Sequence, residues 1–263
     1  MKRIFLTGAS SGIGLAIAKA LTENGDEVWG TSRQVERIPF IPRLHPVALD
    51  LSDQDSLGEI FRAAWREARH FDVVINNAGS GYFGRAEALA SADLARHFQV
   101  LVFGQIELMH LALEAMKHEK GGLVINVSSL ASRLPVPFMA TYNAAKAALA
   151  SYTTSMQLEL ANANVRLVDL QPADINTAFN DAVTKSGVDD ARVERTWQAV
   201  DRNMKGAPPP ELVAQEVLKL IAQTNPPPRI TVGDFFQSGV APLIFRFLPQ
   251  RVKLWGLKKY YGI

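Results

Sequence analysis

A chain of 263 residues, with 48% hydrophobic and 21% charged side chains, holds enough apolar material for one large core, in the proportions of a globular protein rather than a disordered segment or a membrane bundle. A net charge of +2 supplies no basic stripe for nucleic acid, and the absence of cysteine removes disulfides, thiolate nucleophiles and thiolate metal ligands. The histidines His45, His70, His97, His110 and His118 show no ligand spacing, so they read as solvated or capping groups and no metal is expected.

In chain order, the run Ile4-Phe5-Leu6 stops at Thr7-Gly8, too short for the core of a secretory leader. No later run reaches the roughly 18 apolar residues of a spanning helix, and a cytoplasmic location is expected. Helix-period segments then alternate with short apolar runs: a helix over 12–24, Val28-Trp29, a helix over 53–69, Val73-Val74-Ile75, a helix over 91–118, Leu123 to Val127, a helix over 140–162 and Val165 to Val168. Strands apolar on both sides and separated by helices imply an α/β fold: one domain, a doubly wound parallel sheet with helices on both faces. After Pro172 comes a polar, partly helical segment over 176–204, read as a mobile cover, then a helix over 210–223 and a last strand at Ile230-Thr231-Val232.

Two spacings carry chemistry. Thr7-Gly8-Ala9-Ser10-Ser11-Gly12-Ile13-Gly14 lies between the first strand and the first helix, where glycines let backbone N–H groups approach a pyrophosphate, although a purely structural turn also favours glycine there. Tyr142 and Lys146 stand four residues apart on a predicted helix, so their side chains share a face, and Ser129 ends an apolar strand thirteen residues earlier. A nearby ammonium would draw a phenol below its usual value near 10. Taken alone, such a pair is usually just a packed phenol beside a solvated lysine.

With glycines at 8, 12 and 14, the chain resembles the short-chain dehydrogenase/reductase family, whose fingerprint is TGxxxGxG; the extended, epimerase-like branch has TGxxGxxG. Asp50-Leu51 resembles the family's adenine contact after the third strand, Asn76-Asn77-Ala78-Gly79 its NNAG motif, and Pro172-Ala173-Asp174-Ile175-Asn176-Thr177 its PGxxxT segment with alanine for glycine. The resemblance implies a Rossmann fold and a nicotinamide dinucleotide held by Gly8, Ser10, Ser11, Gly12, Ile13, Gly14, Asp50, Leu51, Asn76, Ala78, Gly79, Tyr142, Lys146, Pro172, Ile175 and Thr177. It implies that Ser129 orients the substrate oxygen, that Tyr142 moves a proton, and that Lys146 also holds the nicotinamide ribose. At the end of the second strand, Ser32 replaces the aspartate of NAD-preferring members and Arg33 can pair with a 2′-phosphate, which favours NADP(H) over a solvated loop cation. Leu101 stands where an asparagine normally supports a water chain to the lysine, a role open to Gln99 or a water.

The segments Ser80 to Phe83, Leu130 to Phe138 and Ile175 to Phe179 are mostly apolar or aromatic, which suits a hydrophobic ketone or alcohol and equally suits simple loop packing. Extra apolar residues on the helices at 91–118 and 140–162 suggest a homodimer or homotetramer. After Asp234 no acidic residue occurs, while Arg246, Arg251, Lys253, Lys258 and Lys259 alternate with aromatic and aliphatic groups. Such a tail can lie on an anionic membrane; being short and following a core strand, it is read first as a cover for the pocket or the subunit interface. The expected function is oxidoreduction between a hydroxyl and a carbonyl with NADP(H); the alternative is an NADP(H) sensor or partner-binding protein without strong catalysis.

Overall fold

The computed structural model describes residues 1–160 and 163–263. The strands are β1 (Arg3–Leu6), β2 (Glu27–Ser32), β3 (Leu44–Ala48), β4 (Val73–Asn76), β5 (Tyr82–Gly84), β6 (Gly122–Val127), β7 (Val165–Pro172), β8 (Thr184–Ser186) and β9 (Arg229–Val232). The helices are α1 (Gly12–Glu23), α2 (Gln54–Ala68), α3 (Ser91–Phe98), α4 (Gly104–Lys117), α5 (Ala140–Glu159), α6 (Ala191–Lys205), α7 (Glu211–Ala222), α8 (Ala241–Phe247) and α9 (Gln250–Tyr261).

Side chains alternate across each strand, so a run apolar at every position needs a hydrophobic layer on both faces. In β1, Ile4 and Leu6 join α1 and α7 in one buried cluster, while Phe5 joins α2 and α4 in another. Val73 and Ile75 against Val74, and Leu123 and Ile125 against Val124, divide in the same way. The sheet is parallel with strand order β3-β2-β1-β4-β6-β7-β9. Its direction of growth reverses between β1 and β4, the point at which doubly wound folds open a crevice beyond the carboxyl ends of the strands.

Several elements differ from the sequence expectations. β3 carries a proline and a histidine and so breaks the apolar rhythm of the other strands; it ends just before Asp50, as the resemblance implies, and forms the sheet edge, where proline is tolerated. Only a 3-10 turn at Val35–Arg37 lies between β2 and β3. The expected helix at 91–118 is one continuous 27-residue run, Ser91–Lys117, in which a π turn at Gln99–Phe103 joins α3 to α4. Contrary to expectation, its length and mean hydropathy of 1.2 would suffice to cross a membrane. Leu101, Leu108, Met109, Ala112 and Met116 are instead buried, as in the core helix of a sheet protein. The helix expected over 140–162 is α5, with residues 161–162 lying outside the described residues. The polar segment over 176–204 contains β8, paired with β5, and α6. The tail folds as α8 and α9, and α9 packs against α6.

Candidate active site

The turn after β1 is shaped by contacts that only glycine allows. Gly8 has φ +75°, and a Cβ on Gly14 would lie 2.0 Å from the Gly8 carbonyl oxygen. The turn leads into α1, whose N-cap Ser11 makes no side-chain capping bond and whose first turn contains no carboxylate. Free N–H groups at the positive end of a helix, with no internal anion, form a seat for an external one. Ser10, Ser11, Gly12 and Ile13 are at least partly accessible. Thr177 reaches this turn from beyond β7: a Cβ on Gly12 would make an ordinary 3.5 Å contact with Thr177 Cβ. This cradle fits a dinucleotide pyrophosphate.

At the adenosine end, Arg33 is exposed just past β2 and makes no hydrogen bond or ion pair among the described residues. Ser32 Oγ accepts from the Gln34 amide at 3.2 Å. The Asp50 carboxylate accepts from the Ser52 amide at 2.9 Å and its hydroxyl at 2.7 Å, and Leu51 is buried against the α2–α4 core.

The Asn76-Asn77-Ala78-Gly79 segment serves largely as scaffold. Thr7 Oγ1 accepts from the amides of Asn77 at 2.8 Å and Ala78 at 2.9 Å, tying β4 to β1. The Asn76 side chain points inward, fully buried, and donates to Asn126 Oδ1 at 2.8 Å and to the Gln105 carbonyl at 3.1 Å. Gln105 in turn donates to the Ala78 carbonyl at 2.6 Å. Gly79 is the exposed member, beside Leu101 and Lys146.

Ser129, Tyr142 and Lys146 meet next to this segment. Ser129 follows β6; its hydroxyl accepts from the Ala131 amide at 3.1 Å, donates to the Pro172 carbonyl at 3.5 Å and stands close enough to the Tyr142 phenol to favour its ionised form. Lys146 is 3% exposed, donates to the Val127 carbonyl at 2.7 Å, and its Nζ lies 5.9 Å from the Tyr142 ring centre. Burial pulls its ammonium down to about 8, opposed by attraction to the Asp169 carboxylate. The Tyr142 phenol, by contrast, is raised: burial dominates, the bond from Ser129 opposes it, and the Asp174 carboxylate adds to it. Burial therefore outweighs the lowering influences on the phenol in the protein alone, with the Lys146 ammonium hydrogen-bonded to the Val127 carbonyl.

Leu101 is fully buried and cannot hold water by its side chain. Around it, the buried Gln99 Nε2 and His97 Nε2 have no hydrogen-bond partner among the described residues. Burial lowers His97, and the Lys146 charge lowers it further. His97 is therefore half-buried beside the lysine rather than solvated or capping; a histidine one turn before Leu101 was the available sequence signal.

The expected pocket segments converge. Phe83, Phe138, Val136, Phe179 and Tyr142 belong to one cluster with Met139, Val183 and Trp197, and the Tyr142 and Phe179 ring centres are 5.7 Å apart. Beside it, a polar cavity of about 270 Å³ is lined by Asp174, Arg202, Asn203, Gln237 and Tyr260 among others. The Gln237 amide donates to Asp174 Oδ2 at 2.6 Å, and its Oε1 accepts from the Asp174 backbone at 3.1 Å. Sequence reasoning missed this clamp because its halves lie 63 residues apart.

Comparison with known proteins agrees with this arrangement. A profile of the family described as short chain dehydrogenase matches residues 2–187. The chain is 27% identical to the 3-ketodihydrosphingosine reductase of Bacteroides thetaiotaomicron, covering 99% of this chain and 98% of that protein. Among solved structures, a short-chain dehydrogenase from Streptomyces avermitilis matches with a TM-score of 0.82 at 25% identity, over 98% of this chain and 96% of the other. A metagenomic short-chain oxidoreductase in complex with NADP matches with a TM-score of 0.72 at 27% identity, over 88% and 96%.

Proposed function

Because the chain belongs to the short-chain dehydrogenase family of oxidoreductases, we propose that it is an NADP(H)-dependent reductase that interconverts a hydrophobic ketone and its alcohol, with Tyr142 as the proton-transferring group. The observation that carries this reading is the meeting of Tyr142, Ser129 and Lys146 at the sheet crevice, beside a helix N-terminus with no anion of its own. When bound, the nicotinamide supplies or accepts the hydride.

The protein's residues do the rest. Ser129 and Tyr142 bracket the substrate oxygen and polarise it. Tyr142 delivers a proton to that oxygen as charge develops there in the reductive direction and takes it back in the oxidative one. Lys146, held by the Val127 carbonyl, presents its ammonium toward Gly79 and the ribose position. Arg33 pairs with the 2′-phosphate of NADP(H), a role supported by its exposure and its freedom from internal partners. The aromatic cluster at Tyr142 and the full-length similarity to a sphingoid ketone reductase support a long-chain lipid ketone as substrate.

A second copy of the chain is assigned to the outer face of α5, where an open groove of about 370 Å³ is lined by Ala147, Ala150, Ser151, Thr154 and Leu158 among others. Small residues there allow close helix approach, and Leu158 is 77% exposed.

Titration with NADPH and NADH, followed by nicotinamide fluorescence, tests the cofactor assignment. Wild type is expected to bind NADPH at least tenfold more tightly than NADH, and Arg33→Ala to lose that preference; equal affinities in wild type overturn it. Tyr142→Phe is expected to keep NADPH affinity while turnover of a long-chain ketone falls about 10²- to 10⁴-fold. Unchanged turnover removes Tyr142 from the chemistry.

A further inference from the structure

The part of the chain that the active site does not use is the outer surface of the C-terminal segment. Ten of the sixteen exposed large hydrophobic side chains among the described residues lie within residues 235–263, including Phe235, Phe236, Leu243, Phe247, Leu254 and Trp255. An apolar patch of this kind on a monomer marks a binding surface. The segment is ordered by its inner side. Tyr261 is buried in the cluster that holds Phe83 and Val183, with Leu257 packed against it, and Tyr260 Oη accepts from Asn203 at 3.1 Å. The same cluster reaches Tyr142, so the segment's inner face walls the substrate region while its outer face is left without an internal partner.

Charge indicates what covers that outer face. Residues 235–263 contain Arg246, Arg251, Lys253, Lys258 and Lys259 and no acidic residue, so in a chain of net +2 the residues before them sum to a net negative charge. None of the five cations forms an ion pair among the described residues. Aromatic rings lie beside cations, with Lys259 Nζ 5.5 Å from the Trp255 ring centre and the Arg246 guanidinium 5.8 Å from that of Phe247. Rings that reach toward hydrocarbon beside stems that lift charge toward headgroups suit a bilayer interface. A twofold contact between two copies through this patch would set cations against cations. At 12 residues, α9 is too short to span the roughly 30 Å hydrocarbon layer and is suited to lying on it.

We propose that residues 235–263 form a membrane-docking surface that seats the enzyme on anionic phospholipid, with the substrate region directly behind it. The docking does not depend on the identity of the substrate or the cofactor.

The test is flotation of the full-length protein with vesicles of phosphatidylcholine alone or mixed with phosphatidylglycerol, at low and at physiological salt. Wild type is expected to float with the anionic vesicles, to remain with neutral ones at no more than a tenth of that level, and to release as salt rises. The triple variant Arg251→Glu, Lys258→Glu, Lys259→Glu is expected to lose at least tenfold of the bound fraction. The pair Phe247→Ser, Trp255→Ser is expected to lose a comparable amount, with thermal melting unchanged in both variants. Failure of wild type to float at any composition overturns the proposal, as does flotation that neither variant reduces. A change in sedimentation coefficient in these variants, without vesicle binding by wild type, overturns it in favour of a second copy of this chain.

Discussion

Lys146 is buried to 3% exposure with a positive charge, and its ammonium is pulled down to about 8 from the usual 10.5. A base whose folded value is depressed destabilises the fold while it remains charged. The penalty is fully present below about pH 8 and is relieved as pH rises from there to 10.5, because in that window the unfolded chain binds the proton that the folded chain has released. At neutral pH it amounts to roughly 3 kcal/mol. Lys146→Met is therefore expected to unfold at a higher temperature than wild type at pH 7, with the gap closing toward pH 10, while turnover is lost. A variant less stable than wild type at pH 7, or a gap that does not change with pH, contradicts this account of the lysine. The protonation of His97 is opposed first by burial and then by the Lys146 charge.

Between elements, the least expected feature is the carboxylate of Asp169 inside β7. It is fully buried and is held by Arg229 of β9 at 2.7 Å, by Gln171 at 2.8 Å and by Ser128 at the end of β6. Asp169 also attracts Lys146, so the ion pair that joins β7 to β9 reaches α5. Asp169 is fully buried whereas the Arg229 side chain is 38% exposed, so removing the arginine leaves a buried carboxylate without a cation that solvent already partly screened. Arg229→Met is expected to lower stability by about 2–3 kcal/mol, below the largest effects of this kind because Gln171 and Ser128 still serve the carboxylate. The urea unfolding midpoint measures it, and a variant as stable as wild type shows that the pair contributes nothing net.

For the whole molecule, two exposed surfaces differ in character. The groove on α5 is small-residue and mixed in character, suited to a copy of itself; the C-terminal surface is basic and aromatic and repels its own copy. Leu158→Asp, on the first surface, is expected to shift sedimentation from dimer or tetramer to monomer while leaving NADPH binding intact. A wild-type protein that sediments as a monomer removes the assignment of that face. Separating the two surfaces allows assembly and membrane docking to be measured independently in one chain.

The parallel sheet, the glycine turn after the first strand and the register of Tyr142 with Lys146 were all legible in the sequence, because each is set within a short window: alternating runs, glycines at 8, 12 and 14, a four-residue spacing on a helix. β3 breaks the apolar rhythm because an edge strand needs neither continuous apolar character nor freedom from proline. Contacts between distant residues were decided only when the chain closed. Asp174 meets Gln237 across 63 residues and Asp169 meets Arg229 across 60. Asn76, read as a cofactor contact, turns inward onto Asn126. Whether a buried polar group has a partner, and which way a charge moves a phenol, depends on how many unlike elements pack around one point, and no local pattern encodes that. The tail divides along the same line: its composition was plain in the sequence, but which of its faces is tied down and which is left open follows from the packing of α9 on α6.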